Sequence, residues 1–128
     1  MTTTDDKRTR PTLQQLTESI IVWQKETFPL ATGQSVVEHL RREAAELWQE
    51  FWETRYTGIA KEEVFPVEVS PVIDDVAEEA ADVFFMLVSL SHVVGFDLRD
   101  AVAAKYRKNM ARKWKAPDEH GVVEHIKE

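Results

Sequence analysis

Apolar residues recur at offsets of three and four in successive segments of this chain, and that period fits helices and no other regular structure. Leu13, Leu16, Ile20 and Trp23 repeat this way behind Thr12 and Gln15, which have the form of a capping box, until Phe28-Pro29 stops the segment. Ser35 and Glu38 form a second box, opening a helix with the stripe Val37, Leu40, Ala44, Leu47, Phe51 that Gly58 would end. A third helix is expected from Ser70-Pro71 through Val94, mostly buried and closed by Gly95. A fourth starts at Asp97/Asp100 and runs to about Trp114. Residues 58–71, with Gly58, Pro66 and Pro71, read as a loop or short extended excursion, and Pro117 and Gly121 mark an irregular tail. The expected fold is all-α: a four-helix bundle with an irregular C-terminal tail, a flexible segment over residues 1–11 and a single domain over 12–128.

Charge is distributed more tellingly than its sum of -7. Twelve acids lie between Glu43 and Asp82 against only Arg55 and Lys61, whereas Lys105 to Lys115 holds six bases and no acid. A net negative chain is repelled by nucleic acid and by anionic membrane, so neither is expected as a partner. The polar N-terminus and the lack of a long apolar run point to a cytoplasmic protein. With no cysteine, a metal would have to sit on oxygen or imidazole.

The acids are paired. Glu43, Glu46, Glu50 and Glu53 fall at offsets of three, four and three, stacking carboxylates along one helix face with His39 a turn ahead. Asp75, Glu79 and Asp82 share a face of the third helix, where Val83-Phe84-Phe85-Met86-Leu87 follows directly, so these acids are expected inside a buried helix. Like charges so placed repel, and something should offset the cost. If the two helices pack antiparallel, Glu43/Glu46 and Glu79/Asp82 face each other and offer hard oxygen ligands suited to Mg²⁺ or Mn²⁺. On the fourth helix Lys105, Asn109 and Arg112 share a face and form a candidate phosphate clamp. Neither a P-loop nor GxSxG, HExxH or Glu-x-x-His is present.

The strings HLRREAAELWQEF, EEAADVFFMLVSL and GFDLRDAVAAKYRKNMARKW, in that order, resemble the motif series of the MazG-like all-α nucleotide pyrophosphohydrolases over residues 36–114. The ExxE and ExxD elements of that signature are met by Glu43/Glu46 and Glu79/Asp82. The tail Arg112-Lys113-Trp114, Pro117, Gly121-Val122-Val123 and His125-Ile126 is similar to the branch acting on dATP and dGTP, found in bacteria and phages. One departure is the spacing of the two pairs, residues 47–78, longer than is usual.

The resemblance implies hydrolysis of a nucleoside triphosphate to monophosphate and pyrophosphate, with two or more Mg²⁺ or Mn²⁺ held by Glu43, Glu46, Glu79 and Asp82. Glu46 or Glu50 would be the general base, and Lys105, Asn109 and Arg112 would hold phosphate oxygens. Trp23, Gln24, Phe28 and His39 are candidates for contact with base or sugar, as are Trp114 and His125 from the tail. Trp48 and Trp52 fall off the core stripe and suggest the interface of a homodimer or homotetramer. The alternative is a non-catalytic acidic module that docks on a basic partner or mimics nucleic acid.

Overall fold

A computed structural model describes residues 10–52 and 70–127 of the chain. The expected helix end at Gly58, the residues of the 58–71 excursion before Ser70, and Glu53 lie outside the described residues, as do residues 1–9 of the segment expected to be flexible. Four helices follow in order: α1 (Leu13–Thr27), α2 (Gly33–Trp52), α3 (Ser70–Val94) and α4 (Leu98–Ala111). The chain divides into two compact units, residues 1–95 and 96–128.

Helix α1 starts at the expected box: Gln15 N donates to Thr12 Oγ1 at 3.1 Å, and Thr12 N donates to Gln15 Oε1 at 2.8 Å. Both donors would otherwise be orphaned at the helix start. Helix α2 begins earlier than its sequence suggests. The reciprocal pair is Ser35 N to Thr32 Oγ1, 3.1 Å, and Thr32 N to Ser35 Oγ, 2.9 Å, so Thr32 caps the helix and Ser35 stands in its first turn. A serine can fill either place in such a box, and Thr32 leaves Glu38 free to bond Arg41 and Arg42.

The inward stripe of α2 also differs from the expected one. Val36 is buried at 5% exposure, while Val37 is half exposed. The inner positions are Val36, Leu40, Glu43, Leu47 and Glu50, at alternating offsets of four and three. Ala44, expected in the core, is exposed.

Helix α3 packs on both α1 and α2. Its C-terminal half supplies the best-buried residues, Met86, Val88, Ser89 and Ser91, which meet Ile20 and Gln24 of α1 and Val36 of α2 as the core. Trp23 packs edge to face against Phe85, centroids 5.8 Å apart. Gly33, at the start of α2, lies against Val94, at the end of α3: a Cβ on Gly33 would come 3.6 Å from Val94 Cγ2. Glu43 meets Asp82 farther along, so the two helices run antiparallel. The expectation of a mostly buried α3 holds only for that C-terminal half; from Ile73 to Asp82 the described side chains are exposed or half buried. Gly95, at φ 95°, ends the helix in the left-handed region.

In the second unit Asp97 caps α4, its Oδ1 accepting from Asp100 N at 3.0 Å. The helix ends at Ala111, not Trp114, because Arg112 is already extended. The tail is not wholly irregular. Trp114 and His125 form an antiparallel bridge, with Lys115 N bonded to Glu124 O and Ile126 N to Lys113 O, both 2.8 Å. Asp118 Oδ1 holds the intervening turn by accepting from His120 N and Val122 N, and Gly121 takes a φ of 77° there.

Candidate metal centre

Glu43 reaches the α2–α3 seam because it occupies a core position of α2, and Glu79 and Asp82 reach it from one face of α3. One carboxylate oxygen from each of Glu43, Glu79 and Asp82 lies within 4.8 Å of the others. Glu46 is exposed on the rim, and its charge raises the carboxyls of both Glu43 and Glu79. Three of the four acids expected to hold metal therefore converge, and Glu46 stands near them. Glu50 lies two turns beyond Glu43 on the inner stripe, half buried, outside the three-oxygen cluster.

The electrostatics of the cluster are adverse. Burial pushes the Glu43 carboxyl above its ordinary range, and the neighbouring charges of Glu46 and Asp82 push the same way. Glu79 is raised for the same reasons, burial first, then Glu46, Asp82 and Glu43. The nearest cations in sequence, Arg41 and Arg42, turn to Glu38 and hold that carboxyl well below the usual range, chiefly through the Arg41 hydrogen bond. His39 gives Glu43 a partial counterweight, its Nε2 standing 3.1 Å from Oε1. Glu43 Oε2 and Glu79 Oε2 are both buried with no hydrogen-bond partner among the described residues.

Buried carboxylate oxygens are normally satisfied. Two orphans, on the two carboxyls that burial and neighbouring acids raise, fit a hard divalent cation, whose oxygen ligands at about 2.1 Å for Mg²⁺ would span a cluster of this size. The contrary expectation, that the α3 acids sit inside a buried helix, needs correction: Asp82 and Asp75 are exposed and Glu79 is half buried. The exposed side of the cluster is where a substrate and water can enter.

Beside the cluster, still within the first unit, is a cleft of about 450 Å³ lined by Gln24, Phe28, Val36, His39, Met86 and Ser89, among others. Three of the four expected base or sugar contacts on α1 and α2 meet there. Gln24 is only 4% exposed and its Nε2 has no partner among the described residues. Trp23 is not one of the lining residues; its ring packs edge to face with both Phe28 and Phe85 and braces the wall from behind. Ser89 and Met86 were not anticipated as cleft residues. Ser89, a hydroxyl within a largely apolar helical run, was the signal that could have found it.

Lys105, Asn109, Arg112, Trp114 and His125 belong to the second unit. Arg112 Nη1 donates to Asn109 Oδ1 at 3.2 Å, which makes these two one polar group, while Lys105 is exposed. The Trp114 ring meets the His125 ring at 83°, centroids 6.0 Å apart, and its Nε1 donates to the Asn109 carbonyl at 3.2 Å. Lys108, Arg112, His125 and Lys127 line a basic cleft of about 570 Å³ in this unit.

No family model and no curated protein sequence matches the chain. Helix order and topology place its fold in the MazG-like all-α class. A solved structure with this fold is the MazG-like pyrophosphohydrolase of cyanophage S-2L, bound to dGDP and three catalytic Mn²⁺ ions per active site. It is 24% identical to this chain, over 92% of this chain and 96% of its own, with a TM-score of 0.61. The fold expected from the motif order is thus the fold observed. Among the described residues, no single helix is long and apolar enough to cross a membrane.

Proposed function

We propose that this chain hydrolyses nucleoside triphosphates between the α- and β-phosphates, with divalent metal, and that dGTP or dATP is the preferred substrate. The observation that carries the reading is the convergence of Glu43, Glu79 and Asp82 oxygens within 4.8 Å, with Glu43 Oε2 and Glu79 Oε2 buried and unpartnered among the described residues. The fold shared with a pyrophosphohydrolase that binds dGDP and Mn²⁺ supports it.

Glu43, Glu46, Glu79 and Asp82 would hold two or more Mg²⁺ or Mn²⁺ ions. Such ions supply Lewis-acid polarisation of phosphate oxygens and a lowered pKa for a bound water. Glu46 raises both Glu43 and Glu79 by its charge, which supports placing it with the ligands. Glu50, farther along the inner stripe and outside the oxygen cluster, is then the better general base, taking the proton of the attacking water on its carboxylate. Lys105, Asn109 and Arg112 would bind phosphate oxygens and stabilise charge on the departing pyrophosphate. Gln24, Phe28 and His39 would receive the nucleoside in their cleft, excluding water from one side of it.

The test is incubation of the purified protein with the eight common NTPs and dNTPs, with Mg²⁺, Mn²⁺ or EDTA, resolving nucleotide products and pyrophosphate. Monophosphate and pyrophosphate are expected in equal amounts, fastest from dGTP or dATP, abolished by EDTA and reduced at least about a hundredfold by Asp82→Asn. Absence of cleavage, together with a melting temperature indifferent to metal, overturns the reading in favour of an acidic docking module.

A further inference from the structure

We infer that His39 is a positioning residue that holds the Glu43 carboxylate for metal and links that ligand to the neighbouring cleft. The inference rests on the metal-dependent reading above. Glu43 stands among Glu46, Glu79 and Asp82, and its side chain, 16% exposed, has little room to swing away from them. His39 lies one turn earlier on the same helix, and its Nε2 meets Glu43 Oε1 at 3.1 Å. The bond fixes one carboxylate oxygen, and the other, Oε2, is the buried one without a partner among the described residues. A carboxylate anchored in this way presents its second oxygen in a set direction, as partners behind metal ligands commonly do.

The same imidazole also lines the cleft that holds Gln24 and Phe28, and its side chain is 46% exposed. In the neutral ring, Nε2–H donates to the carboxylate and Nδ1 is left as an acceptor. A molecule in the cleft that moves this ring moves Glu43 with it, so occupation of the cleft and binding of metal are linked, and linkage acts equally in both directions.

The experiment measures Mn²⁺ binding to the full chain by loss of the free-ion electron paramagnetic resonance signal, at one pH near 7, for the unsubstituted protein, His39→Ala and His39→Gln. Melting in EDTA serves as the control for folding. His39→Ala is expected to weaken Mn²⁺ binding by about 10- to 100-fold with its EDTA melting temperature little changed, and His39→Gln, whose amide can donate in place of Nε2, to recover to within about threefold. Equal Mn²⁺ affinity in His39→Ala and the unsubstituted protein overturns the role of His39 alone, as does a Gln variant no better than Ala. Failure of the unsubstituted protein to bind Mn²⁺ overturns the metal-dependent reading, and this inference with it.

Discussion

Glu43 on α2 and Asp82 on α3 place carboxylate oxygens within 4.8 Å of each other across an antiparallel helix seam. Helices α2 and α3 therefore pack against mutual repulsion at the point where the chemistry is proposed. The sign of that repulsion makes the metal-free protein a sensitive reporter of the site.

A carboxyl whose folded pKa is raised contributes stability that is complete below its unfolded value, near 4.5, and is lost as pH rises through the folded value. Glu43 and Glu79 are both raised, so at neutral pH they destabilise the metal-free fold. Glu79→Gln is expected to melt higher than the unsubstituted protein in EDTA at pH 7, by about 2–5 °C, with the gap closing as pH falls below about 4.5. Added Mn²⁺ should raise the melting temperature of the unsubstituted protein and scarcely move that of the variant. A variant that melts lower than its parent at pH 7 would show that Glu79 is stabilising as it stands.

Glu46 and Glu50 can be separated by the ratio of metal binding to turnover. Glu46 stands close enough to Glu43 and Glu79 for its charge to raise both, so Glu46→Gln should weaken both Mn²⁺ binding and kcat. Glu50→Gln should leave Mn²⁺ binding within a few-fold and lower kcat by about 10²–10⁴, the span ordinarily lost with a general base. Reversed effects would exchange the two roles.

Gln24 lines a cleft sized for a nucleoside and carries a buried amide nitrogen without a partner among the described residues. A polar group left unmade inside a site discriminates strongly among ligands, because only some of them complete its hydrogen bonds. Gln24→Leu should lower kcat/KM for the best nucleotide by about 10- to 100-fold and flatten the preference among bases. A preference unchanged by the substitution would remove Gln24 from base recognition.

Trp48 and Trp52 are 64% and 59% exposed, and their rings lie 5.8 Å apart. Two large aromatics on one exposed helix face suit a self-association surface. Light scattering at equal concentration is expected to give an oligomer for the unsubstituted chain and a smaller species for the Trp48→Ala/Trp52→Ala double variant. Equal masses would place the interface elsewhere.

Much of this was legible from local chemistry. Periodicity, the Thr12–Gln15 box, the Asp97 cap and the Gly95 stop depend on neighbours within a turn, and they located four helices and the spacing of Glu43/Glu46 and Glu79/Asp82. Where two local solutions competed, the sequence was ambiguous: Thr32 and Ser35 both suit a capping box, and the structure caps α2 with Thr32. Tertiary packing alone decided the rest. It placed Glu43 and Glu50 inward among aliphatic residues and Glu46 on the rim, left the first half of α3 exposed, stripped two carboxylate oxygens of partners, and brought Gln24, Phe28 and His39 around one cleft. These are relations between residues distant in sequence, set by how antiparallel helices register their side chains, and helical period within a single segment carries no record of them.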